Sequence, residues 1–197
     1  MRYDAIILAG GRGARLGGVD KPQLLLAGTP LVDRPLRAAR GADRIVLVGP
    51  ESVRRDGVLL ARENPPGGGP AAGTAAGVER LADPGLAPWV LLLSCDLPLA
   101  AAGVPHLLTA ATSAGDGVDG VCLIDADGRL QWLFALYRSD RLLDAVRSIE
   151  SPAGMSMRRL LGSLTLVGVS GPAEVSADLD TWEDHAMWTE RLENRDD

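Results

Sequence analysis

A short apolar segment, Asp4–Ala9, is followed directly by a glycine-rich polar loop that runs from Gly10 to Lys21. An apolar run without alternation is typical of a strand that is buried on both faces, as in a parallel sheet. The glycines at its end let the backbone turn sharply and approach a ligand closely. The chain is therefore expected to start with a strand and a ligand-binding loop, followed by a helix from Pro30 to Arg40.

Strands and helices are predicted to alternate along the rest of the chain. Strands are expected at 44–48, 58–61, 89–93, 117–124, 130–137 and 164–167. Helices are expected at 71–82, 104–112 and 140–149, with a short one at 155–161 and a last one from Asp180 or Thr181. The most apolar strand, at 89–93, is expected to be central, and the strands within 117–137 to form an insertion or an antiparallel edge. This order predicts a single domain over 1–197, a Rossmann-like three-layer α/β/α sandwich with a mostly parallel central sheet.

Composition excludes several classes of protein. The 197 residues carry a formal net charge of -6, which argues against a nucleic-acid partner. No apolar run is long enough to cross a bilayer and no cleavable signal pattern is present, so no membrane partner and a cytoplasmic location are expected. The two cysteines, Cys95 and Cys122, give no disulfide framework, and Cys95 is predicted to be a small buried residue.

The loop after the first strand carries a concentration of positive charge. Lys21 is the only lysine in a chain with 20 basic residues, and Arg12 and Arg15 lie in the same loop. Backbone N–H groups of a glycine-rich turn can surround one anion, and these three cations can neutralise charge on a phosphoryl group during transfer. The pattern matches neither the Walker phosphate loop nor the dinucleotide-binding fingerprint. A flexible turn with solvated arginines is the alternative interpretation.

Two acidic segments are candidates for metal binding. Asp96 follows the most apolar strand, where a carboxylate is costly unless something compensates its charge, and Mg²⁺ would do so. Asp178 and Asp180 alternate on an extended stretch and would point to the same side. Each has a structural alternative: Asp96 could form a turn before Pro98, and Asp180 or Thr181 could cap the last helix.

Together these segments resemble the molybdenum cofactor guanylyltransferase family, within the Rossmann-like nucleotidyltransferases. The resemblance covers nearly the whole chain. It rests on segments that follow in the family's order: 8–21, 24–31, 69–73, 95–98, 131–137 and 178–184. The Ala9-Gly10-Gly11 sequence resembles the guanylyl enzymes rather than the related cytidylyl enzymes. Trp132 departs from the family, which usually has proline there, and some guanylyl members carry asparagine at the positions of Asp178 and Asp180.

The resemblance implies a role for each matching residue. Catalysis is assigned to Lys21, Arg15 and Asp96, and metal binding to Asp96 with Asp180, the favoured second ligand, or Asp178. Nucleotide binding is assigned to Leu8, Ala9, Gly10, Gly11, Arg12, Lys21, Asn64, Gly69, Pro70 and Gly73. The implied cofactor is Mg²⁺, and the implied substrates are GTP and a phosphorylated acceptor, molybdopterin. Contact with a molybdoenzyme or a chaperone is a further partnership that the resemblance allows.

The implied reaction transfers GMP from GTP to the terminal phosphate of molybdopterin and releases pyrophosphate. Because this nucleophile is already an anion, no general base is required. The same loop and carboxylates would also serve CTP with molybdopterin, or GTP with phospholactate. A GTP-binding module without turnover is the alternative from another class, although such a module would not need carboxylates beside phosphates.

Overall fold

A seven-stranded sheet forms the middle layer of the structure, a computed structural model that describes residues 1–10, 16–172 and 174–194. The strands in chain order are β1 (Tyr3–Leu8), β2 (Leu25–Leu26), β3 (Thr29–Pro30), β4 (Ile45–Val48), β5 (Leu59–Ala61), β6 (Trp89–Ser94), β7 (Gly120–Ile124), β8 (Leu130–Arg138) and β9 (Leu166–Val169). Strands β2 and β3 form a separate antiparallel hairpin. The other seven lie in the order β5-β4-β1-β6-β8-β7-β9.

The sheet is parallel except at β8, which runs antiparallel to both of its neighbours. Strand β6 is central, as its apolar composition predicted. The expectation of an antiparallel edge within 117–137 is wrong in position, because β8 lies inside the sheet between β6 and β7. Strand β9 covers the outer side of β7 by parallel pairing, so β9 occupies that edge instead. The mostly parallel central sheet of the predicted Rossmann-like sandwich is confirmed.

Helices cover both faces of the sheet. They are α1 (Asp33–Ala38), α2 (Pro70–Leu81), α3 (Ala100–Thr112), α4 (Ser139–Arg147), α5 (Met157–Leu161) and α6 (Trp182–Glu193). Helices α1 and α3 pack in one core cluster, whereas α2, α4 and α5 pack in the other. Alternation along β1 feeds both clusters, since Ala5 and Ile7 belong to the first and Ile6 and Leu8 to the second. Strand β1 is therefore buried on both faces, as predicted for a strand inside a parallel sheet.

The first helix is shorter than the sequence predicted. Pro30 belongs to β3, where it pairs with Leu25, and α1 begins only at Asp33. The two residues that join β2 and β3, Ala27 and Gly28, both have positive φ angles, of 46° and 72°. Such a two-residue turn closes a hairpin tightly, so the hairpin takes up residues that the proline pattern had assigned to a helix.

Helix α6 lies against the β2–β3 hairpin and outside the two main clusters. Trp188 is buried there with Leu16, Leu26, Leu31 and Leu179. Trp182, at the start of the same helix, is 48% exposed. Of the two tryptophans on this helix, only Trp188 is therefore a core residue. No helix in the described part of the chain is long and apolar enough to cross a membrane.

The amino ends of the parallel strands are tied together by one buried carboxylate. Asp4, at the start of β1, is fully buried, and its Oδ2 accepts hydrogen bonds from Arg44 Nη2 at 2.7 Å and from the Ala87 N–H at 2.9 Å. The Arg44 guanidinium also donates to the carbonyl oxygens of Asp83 and Gly85. These contacts join the segments that lead into β4 and β6 to the start of β1.

Candidate active site

At the opposite, carboxyl ends of β1 and β6, Lys21 joins two of the predicted carboxylates. Lys21 opens the short 3₁₀ turn Lys21–Gln23 and is largely buried. Its Nζ lies 2.7 Å from Asp96 Oδ2 and 2.7 Å from Asp180 Oδ1. Asp96 lies two residues after Ser94, the last residue of β6, and the Ser94 hydroxyl donates to Asp96 Oδ1. Residues that are far apart in sequence thus meet at the ligand-binding edge of the sheet.

The segment before α6 places both Asp178 and Asp180 beside Asp96. The Leu179 N–H donates to the Asp96 carbonyl oxygen at 3.0 Å, and the Leu179 side chain is fully buried. One carboxylate oxygen from each of Asp96, Asp178 and Asp180 lies within 4.8 Å of the others. The predicted alternation of Asp178 and Asp180 therefore delivers both carboxylates to Asp96.

Helix capping, the alternative interpretation of this segment, is present as well. Thr181 is the N-cap of α6, and its hydroxyl accepts from the Asp184 N–H at 3.1 Å. Asp184 Oδ2 accepts in return from the N–H groups of Thr181 and Asp180. These backbone hydrogen bonds lower the pKa of the Asp184 carboxyl. The capping box fixes the backbone of Asp180, so capping supports the carboxylate cluster rather than competing with it.

The members of this cluster shift one another's protonation. Burial raises the pKa of Asp178, and the negative charges of Asp96 and Asp180 raise it further. Burial acts to lower the pKa of Lys21, but the charges and hydrogen bonds of Asp96 and Asp180 outweigh it and raise that pKa. Lys21 therefore stays protonated. The carboxylates of Asp96, Asp178 and Asp180 form an all-oxygen set, which suits a hard divalent cation such as Mg²⁺.

A cavity of about 340 Å³ opens beside this cluster at the end of β1. Its lining residues are Leu8, Gly10, Val48, Glu63, Gly67, Gly69, Pro70, Gly73, Ser94 and Leu133. We call it the first cavity. Five residues of the predicted nucleotide-binding set, Leu8, Gly10, Gly69, Pro70 and Gly73, are thus brought together around it.

The first cavity owes its shape to the start of α2. Gly69 has a φ of 87° and precedes Pro70 at the helix start, without any side chain capping the first turn. Among the described residues no side chain caps this helix N-terminus, whose first-turn N–H groups suit an anion. Farther along the helix, a Cβ on Gly77 would lie 2.6 Å from Ile6 Cγ2, so only glycine lets α2 pack this closely on β1.

Other predicted nucleotide-binding residues are placed differently. The Ala9 side chain is fully buried, and its N–H donates to the Val48 carbonyl oxygen at 2.8 Å. Asn64 is exposed and is not part of the lining of the first cavity. Gly11, Arg12 and Arg15 lie outside the described residues. The roles assigned to these residues stay predictions.

Glu63 is a lining residue that the sequence analysis missed. Its Oε1 accepts a hydrogen bond from the Gly67 N–H at 3.0 Å, which holds the carboxylate against the glycine-rich loop. Its position in the sequence could have identified it as a candidate, because Glu63 comes two residues after Ala61, the last residue of β5, and directly before Asn64. A charged residue at the carboxyl end of a parallel strand is a candidate ligand group.

A second cavity, of about 430 Å³, adjoins the first, with Ser94 and Leu133 lining both. The second cavity contains all three carboxylates, Asp96, Asp178 and Asp180. The rest of its lining is mainly apolar: Leu97, Leu130, Gln131, Trp132, Leu133, Phe134, Met157 and Ser176. Two adjacent cavities that share Ser94, whose hydroxyl donates to Asp96, are suited to joining two substrates.

A thiol nucleophile and a histidine base are absent from this arrangement. Burial and the neighbouring Asp96 charge raise the pKa of the Cys95 thiol well above its ordinary value. Among the described residues, neither His106 nor His185 lines these cavities. His185 Nε2 instead lies 2.7 Å from the Leu25 carbonyl oxygen.

Comparison with known proteins agrees with this architecture. Residues 5–167 match the MobA-like NTP transferase domain. The molybdenum cofactor guanylyltransferase of Cupriavidus pinatubonensis is 31% identical over 149 residues, which cover 72% of this chain and 73% of that protein. The molybdenum cofactor guanylyltransferase of Acidovorax ebreus is 33% identical over 160 residues, which cover 72% of each chain.

Two solved structures share the fold at lower identity. Molybdopterin-guanine dinucleotide biosynthesis protein A from Archaeoglobus fulgidus superposes with a TM-score of 0.73 and 19% identity, over 97% of this chain and 99% of that one. The 2-C-methyl-D-erythritol 4-phosphate cytidylyltransferase of Thermus thermophilus gives a TM-score of 0.65 and 17% identity, over 98% and 100%. The domain match and the curated relatives together show that the chain belongs to the MobA-like NTP transferase family and is a nucleotidyltransferase.

Proposed function

We propose that the protein transfers GMP from GTP to the phosphate of molybdopterin, with Mg²⁺ as cofactor and pyrophosphate as the second product. The observation that carries this proposal is that Ser94 lines both cavities and donates to Asp96, which lines the second cavity with Asp180. Lys21 contacts both of these carboxylates, so a nucleotide in the first cavity and an acceptor in the second would meet beside them. The names of the curated relatives support molybdopterin as the acceptor.

Glu63 supports guanine as the base. One edge of guanine presents two adjacent donors, N1–H and the N2 amino group, and a carboxylate can accept both. Cytosine presents a single amino donor at N4 to a carboxylate. Because Glu63 lines the first cavity and is held by the Gly67 N–H, its carboxylate is positioned to favour the edge with two donors.

The carboxylate cluster fits Mg²⁺. Asp96 and Asp180 would hold the ion, with Asp178 as the third available carboxylate. When bound, Mg²⁺ supplies positive charge to phosphate oxygens and orients them. Lys21 is a flexible point charge that contacts both Asp96 and Asp180, and it adds a second cation at the phosphates. Arg12 and Arg15 keep their predicted part in neutralising the triphosphate.

The chemistry then requires positioning and charge stabilisation rather than proton transfer. A phosphate oxygen of the acceptor attacks the α-phosphorus of GTP, and the bond from that phosphorus to the β-phosphate oxygen breaks as pyrophosphate leaves. Lys21 stabilises the negative charge that develops on the leaving group. The acceptor phosphate is already an anion, which fits a site whose described lining contains no histidine and no reactive thiol.

The test is pyrophosphate release from GTP and from CTP, each with molybdopterin or phospholactate and with Mg²⁺ present or chelated. Release that needs GTP, molybdopterin and Mg²⁺ together is the expected result. Release with CTP or phospholactate would identify one of the alternative substrate pairs. Tight GTP binding without release under any condition would point to a non-catalytic module. The cytoplasmic location and contact with a molybdoenzyme or chaperone stay predictions.

Base recognition by Glu63 has its own test. ITP lacks the N2 amino group of GTP, so we expect the protein to prefer GTP over ITP by about fivefold to a hundredfold in kcat/KM. Glu63→Ala should remove most of this preference. Glu79→Ala, at an exposed position near the end of α2, is the control and should preserve it. An unchanged preference in Glu63→Ala would exclude Glu63 from recognition of the base.

A further inference from the structure

Strand β8 carries a bulge at the wall of the second cavity. Between Cys122 and Ile124 of β7, the partner residue on β8 moves from Ala135 to Leu130, so β8 contains extra residues in this interval. Residues 130–134, which span these extra residues, all line the second cavity. Bulges of this kind re-aim side chains and are frequent beside active sites.

A buried tyrosine holds the bulge in place. Tyr137 is fully buried, and its hydroxyl donates to the Trp132 carbonyl oxygen at 2.8 Å, back along the same strand. The Cys122 sulfur lies 3.7 Å from the same hydroxyl. The hydrogen bond fixes the backbone of Trp132 from inside the core, which limits the freedom of its side chain.

Trp132 is the large flat side chain of this wall. It is partly buried and packs against the core cluster of α2, α4 and α5 on one side, while it also lines the second cavity. The carboxylates of Asp96, Asp178 and Asp180 line the same cavity. An acceptor that occupies it would therefore meet an aromatic ring at one part of the wall and the metal-binding carboxylates at another.

We propose that Trp132 determines acceptor specificity by stacking on a flat heteroaromatic ring of the acceptor, with Tyr137 as its positioning residue. This inference rests on the proposed function, since it assigns the second cavity to the acceptor. The class of acceptor it selects has a planar ring joined to a phosphate, with the ring on Trp132 and the phosphate toward Asp96 and Asp180. An acceptor without a ring gains nothing from Trp132.

The kinetic test compares Trp132→Leu and Trp132→Phe in the full-length protein with GTP, Mg²⁺ and molybdopterin. Loss of stacking in Trp132→Leu should raise the KM for molybdopterin by about tenfold to a hundredfold. Trp132→Phe keeps an aromatic face and should recover most of the loss. The KM for GTP should stay the same in both variants. Trp182→Leu, at an exposed tryptophan outside both cavities, is the matched control.

Tyr137→Phe tests the positioning role. It removes only the hydroxyl, so we expect the KM for molybdopterin to rise by about twofold to tenfold, the range for one hydrogen bond. The KM for GTP and the value of kcat should not change in Tyr137→Phe. A general loss of packing would instead lower kcat and affect both substrates.

A binding measurement separates this inference from the proposed function. Calorimetry uses neopterin 3′-phosphate, a stable pterin that carries a phosphate, and phospholactate, which has no ring. Trp132→Leu should weaken binding of neopterin phosphate by about tenfold to a hundredfold and leave phospholactate unchanged. If GTP is not turned over with molybdopterin but this Trp132-dependent binding is present, the proposed function fails and the inference stands. If Trp132→Leu changes neither molybdopterin kinetics nor neopterin phosphate binding, the inference is overturned, whatever the reaction.

Discussion

Strands β1 and β6 carry a charged cluster at each end, and the two clusters differ in how their charges are satisfied. At the amino ends, both oxygens of the buried Asp4 accept hydrogen bonds from Arg44, and one also accepts from the Ala87 N–H. At the carboxyl ends, Lys21 is shared between Asp96 and Asp180, and Asp178 adds a third carboxylate nearby. The oxygens of the first cluster are filled by the protein's own donors, whereas the carboxylates of the second line a cavity.

This is the difference expected between a structural ion pair and a ligand-binding cluster. A buried carboxylate whose acceptor sites are filled by the protein's own donors has little to offer a ligand, and its partners hold three strand starts together. Carboxylates that line a cavity can bind a metal or a substrate. Mutations in the Asp4 cluster should therefore lower mainly the stability of the fold. Mutations in the Lys21 cluster should lower mainly the rate of turnover.

The largest effect is expected for Lys21→Ala. Removing the shared ammonium should lower kcat by about a hundredfold to a thousandfold, as for loss of one group that stabilises transition-state charge. Pyrophosphate release measures the rate, and circular dichroism shows whether the variant is folded. Lys21→Arg keeps the charge in a less flexible form and should retain part of the activity. Near-normal turnover of Lys21→Ala would mean that the carboxyl-end cluster is not the functional one.

A smaller effect is expected for the carboxylates proposed to bind Mg²⁺, and it should separate Asp180 from Asp178. Asp180 contacts Lys21 at 2.7 Å and its backbone is fixed by Asp184, whereas Asp178 is the exposed member of the cluster. Asp180→Asn should therefore weaken activation by Mg²⁺ about tenfold to a hundredfold. Asp178→Asn should weaken it less. The rate as a function of Mg²⁺ concentration gives both values, and the reverse order would make Asp178 the second ligand.

The smallest effect on turnover, and the largest on stability, is expected at the other end of the sheet. Asp4→Ala leaves Arg44 and the Ala87 N–H without their partner, and should lower the free energy of unfolding by about 3 kcal/mol. The kcat of the folded protein should not change. Asp43→Ala is the matched control, because its pair with Arg2 is solvent-exposed and contributes about 1 kcal/mol or less. Urea denaturation measures both variants. Equal losses would show that the Asp4 cluster is no more structural than a surface pair.

The sequence predicted the parallel strands β1, β4, β5 and β6 better than the region of β7, β8 and β9. Strand β1 and strand β6 are continuous apolar runs, and such runs identify buried parallel strands without tertiary information. The position of β8 inside the sheet depends on which strands pair, and the bulge at Trp132 depends on register. Neither the position of β8 nor the bulge can be predicted from the local pattern of apolar and polar residues. The same holds for Pro30, where a two-residue turn at Ala27 and Gly28 outweighed the helix signal.

The candidate site shows the same division. Lys21 and Asp96 stand out locally, one as the only lysine and the other as an acid after an apolar strand. Their meeting with Asp180 is a tertiary fact, since Lys21 and Asp180 are 159 positions apart in the sequence. Glu63 was missed because a single acidic residue in a polar segment has no distinctive pattern. The burial of Asp4 could not be predicted either, because it depends on Arg44 and the loop at Ala87.

The hydrogen bond from the Leu179 N–H to the Asp96 carbonyl oxygen also has a consequence for how the protein is made. A ribosome delivers β1, β4, β5 and β6 first, so a growing chain can assemble the parallel half of the sheet while Asp178 and Asp180 are still unsynthesised. Until then Asp96 faces Lys21 without the other two carboxylates. Under the proposed function, the nascent chain would complete the first cavity before the proposed metal site, and would gain activity only once the segment through Asp180 has docked.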